Sequence, residues 1–371
     1  MKILVAGDFC PYYRVAELFE RGEFDAVLRG VKPITNQADY SLVNLECPVC
    51  YGEEKPIEKC GSNLKCTEKG IEAIKWAGFD CVTLANNHFL DYGQDGVKNT
   101  LVACEKYGLN TVGGGNNLNE ASWILYKEIG DKKLAVINCC EHEFSIATET
   151  TAGSNPLNPI SQYYSIKEAK EKADYVLVIV HGGHEHYQLP STRMQDTYRF
   201  FIDAGADAVV NHHQHCYSGY EYYKGKPIMY GLGNFCFDEG LKKTKLWHEG
   251  YLVEISFTEV CKIRLYPYSQ CAEQATLNLL DENAFANEIS EINEIIVDNE
   301  KLKSRQEAYY NTANMACRAM FDPVNLRYVK ACQRRGWLPF FYSHKYLRTI
   351  FNYINCESHR DKVLQNLQKK Y

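Results

Sequence analysis

Short apolar runs alternate with amphipathic stretches along roughly the first 260 residues of the chain. Apolar runs that end in polar residues predict buried strands at 3–6, 40–45, 79–84, 110–112, 175–180 and 208–210. Apolar positions at helical spacing predict helices over 14–29, from Thr67 onward, and over 93–107, 166–172 and 191–204. Strands that alternate with helices are typical of an α/β fold.

After about residue 120 the alternation of strands and helices changes, first to a hairpin and short strands and then to helices alone. A hairpin is predicted over 122–140, around the turn Gly130-Asp131, and residues 144–165 are predicted to form a long irregular loop of the kind that covers a site. Short strands follow at 217–223, 228–230 and 251–257, and a tight turn at 231–235 separates the last two. After residue 275 the pattern is helical, with charged faces. We therefore expect two domains, residues 1–275 and a helical extension over residues 276–371.

Polar side chains follow five of the predicted strands at the point where each strand ends. They are Asp8, Glu46, Asn87 with His88, His181, and His213 with His215. Because the carboxyl ends of parallel strands share one edge of a sheet, we expect these side chains to lie close together. A single such residue is more often an ordinary turn residue. Carboxylates, imidazoles and an amide oxygen on five strand ends favour a site for zinc or another divalent transition metal.

The same residues suggest a reaction. Two metals about 3.5–4 Å apart would need a carboxylate between them, and Glu46 could supply it. His88 lies beside the candidate ligand Asn87 and could protonate a leaving group. Asp91 could orient His88, although a cap at the start of the next helix is an equally good interpretation. On an extended segment His213 and His215 would project to the same side and could hold one metal or two neighbouring ones.

Composition narrows the class of protein. The chain has 371 residues and a net charge of −6, which argues against a general nucleic-acid binder. It contains no long uncharged apolar run, and its first apolar run is too short for a signal peptide, so we expect no membrane segment and a cytoplasmic location. We therefore expect its 16 cysteines to be free thiols. A zinc knuckle built on Cys47 and Cys50 with Cys60 and Cys66 is the less favoured alternative.

The order of these motifs resembles the CapA family of bacterial capsule (poly-γ-glutamate) synthesis proteins, whose fold is that of the calcineurin-like metallophosphoesterases. The matching segments are residues 7–8, 44–48, 84–88 with Asp91 and Gly93, 181–185, 204–207, 212–215 and 230–235. The resemblance implies a four-layer αββα sandwich, two mixed sheets face to face with helices outside, and here a C-terminal helical extension. It also implies one or two divalent ions, such as manganese, zinc or iron.

The resemblance assigns roles to individual residues. Asp8 and His215 would bind the first metal, Asn87, His181 and His213 would bind the second, and Glu46 would bridge the two. His88 would be the acid, and Asp91 its partner. Four further residues match positions near the site, where they would contact substrate or support the ligands: Asn86, His184, Glu185 and Asn234. Cys10 stands where phosphoesterases usually have a histidine, and Glu46 stands where they usually have an aspartate.

Two functions remain open at this stage. One is a metal-dependent hydrolase that cuts a phosphoester or a γ-glutamyl-type polymer, in capsule or cell-surface polymer synthesis. The other is a non-catalytic capsule-synthesis accessory protein that uses the same cleft to bind polyglutamate or a glycan. Either function requires a small-molecule or polymer partner and no nucleic acid.

Overall fold

The computed structural model describes residues 1–240 and 243–368. The strands in chain order are β1 (Lys2–Phe9), β2 (Tyr40–Leu45), β3 (Cys81–Thr83), β4 (Asn110–Val112), β5 (Gly114–Gly115), β6 (Leu125–Ile129), β7 (Lys132–Cys140), β8 (Gly153–Ser154), β9 (Tyr175–His181), β10 (Ala208–His212), β11 (Tyr220–Tyr223), β12 (Lys226–Met229), β13 (Asn234–Phe235), β14 (Glu249–Ser256), β15 (Lys262–Gln270) and β16 (Leu277–Leu279). The helices are α1 (Tyr13–Glu20), α2 (Phe24–Leu28), α3 (Lys32–Thr35), α4 (Glu68–Trp76), α5 (Gly93–Lys106), α6 (Leu118–Ala121), α7 (Pro159–Lys172), α8 (Thr192–Ala204), α9 (Lys245–His248), α10 (Glu282–Val297), α11 (Asn299–Met320), α12 (Arg327–Arg334), α13 (His344–Asn355) and α14 (Glu357–Gln368).

Two mixed sheets form the centre of the fold. The first has the order β16-β15-β14-β1-β2-β3-β4, and β13 also pairs with β1. Strands β1 to β4 run parallel to one another, whereas β14 and β15 are antiparallel to their neighbours. The second sheet has the order β11-β12-β10-β9-β7-β6, with a parallel centre and antiparallel strands at its two edges. Parallel centres place several strand ends at the same edge of each sheet.

Three apolar clusters define the layers. In β1, Leu4 and Ala6 pack under helices α1, α2, α4 and α5, while Ile3 and Val5 face the second sheet. The outer face of the second sheet packs on α7 and α8, for example through Tyr198. This alternation has the period of two that a strand buried on both faces requires. The αββα sandwich expected from the resemblance is confirmed.

Most predicted elements are present, and the differences have local causes. Thr67 caps α4 as predicted, and α8 ends at Gly205, whose φ is 129°. The helix predicted over 14–29 is instead two short helices, because Gly22 takes a φ of 73° between them. The irregular loop predicted over 144–165 gives way to α7, since Asn158 caps its first turn and Pro159 occupies the first helical position. Strands β15 and β16 were not predicted.

The described chain divides into two compact units. The N-terminal unit is Met1–Leu302 and the C-terminal unit is Lys303–Tyr371. This boundary differs from the expected one at residue 275, because β16 pairs with β15 and α10 buries Phe285 and Ile289 in the cluster between the sheets. Within the described residues, no helix combines the length and apolar content that spanning a bilayer requires.

Gly7, near the end of β1, allows the backbone of this strand to lie close to the backbone of Gly233. A Cβ at Gly7 would lie 2.0 Å from the carbonyl oxygen of Gly233, and the same oxygen accepts a hydrogen bond from Asp8 N at 3.1 Å. We expect Gly7→Ala to lower the free energy of unfolding by about 1–3 kcal/mol, because the backbone must move apart. Urea unfolding measures this. Gly30→Ala is the control, since its nearest atom would be 3.6 Å away. Equal stability of the two variants would contradict the prediction.

Candidate metal centre

The predicted ligands meet at one edge of the two sheets. Asp8 lies near the end of β1, Glu46 directly follows β2, and His181 is the last residue of β9. His213 and His215 follow β10, and Asn87 lies in the turn after β3. All six side chains are buried. The structure thus brings together residues from five strand ends, as the sequence predicted.

Three of these residues form a first group, which consists of Glu46, His181 and His213. His181 Nε2 is 3.4 Å from Glu46 Oε1 and 3.1 Å from His213 Nδ1. Asn87 Oδ1 lies 3.0 Å from the same nitrogen of His181, so its amide oxygen faces the group. The donor atoms of the three residues lie within 4.8 Å of one another, which is close enough for one ion.

A second group consists of Asp8, Glu46 and His215. His215 Nε2 is 3.7 Å from Glu46 Oε1, and His215 Nδ1 is 3.9 Å from Asp8 Oδ2. Among the described residues, these are the two groups of histidine, cysteine and acidic side chains with donors close enough for one ion, and Glu46 belongs to both. Its carboxylate therefore occupies the position that a bridge between two metals would take.

The surroundings of the Glu46 carboxylate show whether a cation fits this site. Both of its carboxylate oxygens are buried, and neither has a hydrogen-bond partner among the described residues. Such a group is costly unless a cation or a proton compensates it. Burial raises the pKa of Glu46 well above its ordinary value, and the nearby Asp8 carboxylate adds to the effect. The donor set and the unpaired carboxylate together fit one or two divalent cations.

The histidines offer neutral nitrogens to such a cation. Burial lowers the pKa of His181 well below its ordinary value, and the surrounding imidazoles, His213 first, act in the same direction. Burial also lowers the pKa of His215. A neutral imidazole keeps a lone pair, which is the form that binds a metal.

The backbone around His213 and His215 differs from the expected extended segment. His213 has a φ of 94° and His215 a φ of 51°, both in the left-handed region that side chains other than glycine seldom adopt. The predicted extended backbone is therefore wrong, but both rings still approach Glu46, one from each of the two groups that share it. They belong to different groups, and their ring centroids are 6.2 Å apart. Backbone strain of this kind is common at functional sites.

Two residues that the sequence analysis did not single out contact the ligands. Asn44 Nδ2 donates to Asp8 Oδ1 at 2.7 Å and lies 3.3 Å from His181 Nδ1, so one amide positions a residue of each group. Its signal in the sequence was a lone amide within the apolar run of β2. His212 is buried, with Nδ1 3.4 Å from Asp8 Oδ1. Neither ring nitrogen of His212 has a hydrogen-bond partner among the described residues.

The four residues predicted to lie near the site differ in how close they are to the ligands and to the cleft. Asn234 Oδ1 lies 2.8 Å from His215 Nδ1, and a proton donated there leaves Nε2 free to face Glu46. Asn86 is fully buried and holds the turn after β3 through Leu45 O, at 2.8 Å. Glu185 lines the cleft, whereas His184 is half-buried and does not line it.

His88 has two partners at the rim of the site. Its Nδ1 is 2.7 Å from Asp91 Oδ2 and 3.2 Å from Lys59 Nζ. Lys59 also forms an ion pair with Asp91, and both of these side chains are buried. Tyr92, not Asp91, precedes α5, and no side chain caps that helix. Asp91 therefore has the orienting position that the sequence left open, and Lys59 is a partner that the sequence analysis missed.

The loop that carries Lys59 is fixed to Asp91 at further points. Leu64 N donates to Asp91 Oδ2 at 2.6 Å, and Ile57 N donates to Asp91 O at 2.9 Å. Asn63 Nδ2 also donates to Asp91 O, at 3.0 Å. One buried aspartate thus holds both the candidate acid and one wall of the cleft.

A cleft of about 480 Å³ opens beside the ligands. It is lined by Asn87, His88, Glu185, His186, His215 and Trp247, together with the charged side chains Lys59, Glu143, Glu239 and Lys243 and with Cys60, Gly61, Ser62, Leu64, Phe144 and Phe237. A larger cavity of about 650 Å³, lined by Tyr12, Tyr51 and Tyr107, contains none of the predicted site residues. The smaller cleft is therefore the candidate site, because predicted site residues line it.

The cysteines do not build a further metal site among the described residues. Cys10 is buried and hydrogen-bonded to Cys47, and burial raises its pKa. Cys47, Cys50 and Cys66 are buried while Cys60 is exposed, and all are free thiols. Neither of the two ligand groups contains a cysteine. The less favoured zinc knuckle therefore has no support in the described part of the chain.

Comparison with known proteins matches the chain to one family and to two similar capsule synthesis proteins. Residues 2–239 match the family described as Bacterial capsule synthesis protein PGA_cap. The chain is 35% identical over 253 residues to the Capsule biosynthesis protein CapA of Bacillus anthracis, covering 66% of this chain and 62% of that protein. It is 33% identical over 242 residues to the PGA biosynthesis protein CapA of Bacillus subtilis, covering 64% of each. The chain thus spans less than two thirds of the length of these relatives.

Solved structures resemble the chain more distantly. A phosphatase from Mycoplasma pneumoniae has a TM-score of 0.43 and 18% sequence identity, covering 77% of this chain and 96% of that one. This likeness is too distant to carry an argument about the site, which therefore depends on the geometry above.

The buried ion pair between Lys59 and Asp91 yields a stability prediction. Lys59→Met leaves Asp91 without its counter-charge, so we expect the free energy of unfolding to fall by about 3–5 kcal/mol. The double variant Lys59→Met/Asp91→Asn removes both charges, and it should lose less than the sum of the two single variants by more than about 1 kcal/mol. Urea unfolding of all three variants measures the coupling.

The matched control is Lys55→Met, which changes an exposed lysine of the same loop. Its stability should stay within about 0.5 kcal/mol of the parent chain. Strictly additive losses in the double variant would show that Lys59 and Asp91 do not interact as described.

Proposed function

The chain belongs to the bacterial capsule synthesis protein family PGA_cap, and on that premise we propose that its cleft is the site of a metal-dependent hydrolase. The proposed substrate is a phosphoester or the amide bond of a γ-glutamyl-type polymer. The observation that carries the proposal is Glu46, a buried carboxylate that has no hydrogen-bond partner in the described part of the chain and is shared by two groups of metal-type donors.

The proposed ligands divide between the two groups. Asp8 and His215 would hold one ion, His181, His213 and Asn87 would hold the other, and Glu46 would contact both. Divalent ions in such a site act as Lewis acids toward a phosphoryl or carbonyl oxygen and lower the pKa of water. Asn44 would keep Asp8 and His181 in place, since its amide contacts both. Asn234 would direct His215 Nε2 toward Glu46.

His88 is proposed to move the proton. Its Nδ1 would donate a hydrogen bond to Asp91 Oδ2, so the protonated ring would carry its second proton, the one to be transferred, at Nε2. His88 lines the cleft, and 13% of its side chain is exposed, which allows Nε2 to reach a leaving group. Asp91 would stabilise the protonated ring, and Lys59 would hold Asp91 in the required orientation. His88 is therefore the proposed acid.

The proposed substrate class follows from the relatives. The two Bacillus relatives are named for capsule and PGA biosynthesis. For this chain we infer a role in the synthesis or trimming of a capsule or cell-surface polymer. Two lysines, Lys59 and Lys243, lie in the lining of the cleft. Lys59 is paired with Asp91 and Lys243 with Glu239, and Glu143 and Glu185 also line the cleft, so the charge of the lining does not itself select an anionic substrate.

A second candidate is a binding protein that does not cleave its polymer. Cys10 favours it, because that residue stands where phosphoesterases usually have a histidine and its thiol is hydrogen-bonded to Cys47. The group around Asp8 therefore has one imidazole, from His215, in addition to its carboxylates. In this alternative the cleft would hold polymer without turnover.

The two candidates differ in a direct assay. We expect the full chain with added manganese or zinc to hydrolyse at least one of three probes, a phosphomonoester, a phosphodiester or a γ-glutamyl anilide. Asp8→Asn and His213→Ala should each lower the rate by at least about 100-fold, because each removes a ligand. His142→Ala changes an exposed histidine outside the site and should leave the rate unchanged.

Equal rates in Asp8→Asn, His213→Ala and the parent chain would remove the hydrolase proposal. If poly-γ-glutamate binds to the chain without being cleaved, and still binds after chelation of the metal, the binding protein is the better account.

A further inference from the structure

The two compact units carry opposite charge. Residues 303–371 contain thirteen lysines and arginines against four aspartates and glutamates, a net charge of +9. The whole chain carries −6, so residues 1–302 carry −15. A local excess of positive charge in an acidic protein indicates a surface that attracts an anionic partner.

Helix α13 in the C-terminal unit has an apolar face that is largely exposed among the described residues, although Tyr353 on it contacts His359 of α14. Its apolar residues share one side of the helix, an arc of roughly 160° at 3.6 residues per turn, and they are Tyr346, Leu347, Ile350, Phe351, Tyr353 and Ile354. None of its residues is buried, and Phe351 is 67% exposed. The other side carries Lys345 and Arg348. A helix with an apolar face and a basic face is typical of helices that lie in the surface of a membrane.

Helix α12 shows the same division over a shorter length. Arg327, Lys330 and Arg334 fall on one side at helical spacing, and Tyr328 on the other side is 85% exposed. Trp337 follows this helix and is 71% exposed. Amphipathic aromatic rings are favoured at the level of lipid headgroups. The same unit therefore offers positive charge, exposed aromatic rings and a largely exposed apolar face.

We propose that the C-terminal unit binds the surface of an anionic phospholipid bilayer, with the apolar face of α13 inserted among the headgroups. The basic residues near such a surface are attracted to its negative charge, and this attraction is screened by salt. A soluble polyanion would use the positive charge alone and would leave Phe351 and Ile354 in water. A second copy of the unit would bring two charges of +9 together. The proposal is independent of the metal site.

Sedimentation of the full chain with lipid vesicles tests the proposal. Vesicles of phosphatidylglycerol and phosphatidylcholine should bind the chain at least tenfold more tightly than vesicles of phosphatidylcholine alone. Raising the salt from about 0.1 M to 0.5 M should weaken binding several-fold, because the Debye length shortens. Far-ultraviolet circular dichroism checks that each variant keeps its helices.

Two matched variants distinguish insertion of the apolar face of α13 from electrostatic attraction to the bilayer. Phe351→Glu and Asn352→Glu add the same negative charge to adjacent exposed positions of α13, but only the first removes an apolar side chain. We expect Phe351→Glu to weaken binding at least fivefold more than Asn352→Glu does. Equal weakening would overturn the inserted helix and indicate a purely electrostatic surface. Tight binding of soluble poly-γ-glutamate without vesicle binding would overturn the proposal, as would self-association abolished by Phe351→Glu in the absence of lipid.

Discussion

The site depends on one buried carboxylate, that of Glu46, whose hydrogen-bonding capacity the described residues leave unsatisfied. Glu46 lies between two groups of donors, and its two oxygens have no hydrogen-bond partner among the described residues. A protein that keeps such a carboxylate in its interior loses stability unless a cation or a proton compensates the charge. Neutral imidazoles from His181 and His215 face the same space. A divalent cation is the ligand that satisfies all of these groups together.

The two-sheet architecture is what concentrates these donors. Strands β1 and β2 of one sheet and β9 and β10 of the other end at a common edge, so that short segments after each strand converge. Local backbone features complete the convergence. Gly7 allows β1 to approach the turn at Gly233, and left-handed conformations at His213 and His215 send the two rings into different groups. Asn44, Asn234 and Asp91 then fix the orientation of the side chains, which is the usual function of residues behind a metal site.

Sequence reasoning found the donors because apolar runs that stop at a polar residue mark strand ends. It could not find Lys59, which lies in a loop without periodicity and reaches His88 only through the folded path of residues 57–64. It predicted an extended backbone at His213 and His215, which is wrong, because left-handed backbone has no signal in residues other than glycine. Strand β15 was missed because it follows a turn of unremarkable composition, and the boundary moved to Leu302 because α10 packs on the sheets through scattered apolar residues. Packing between residues that are distant in the sequence, unlike the end of a strand, gives little signal in the local sequence pattern.

Anomalous X-ray scattering from crystals grown with manganese tests the central claim most directly. The account predicts at least one strong peak within about 2.0–2.6 Å of a Glu46 carboxylate oxygen, together with imidazole nitrogens of His181 and His213 or of His215. A second peak on the other side of Glu46 would show that the carboxylate bridges two ions. Crystals saturated with manganese that show no peak at Glu46, with its carboxyl group protonated and hydrogen-bonded to a protein oxygen, would contradict the account.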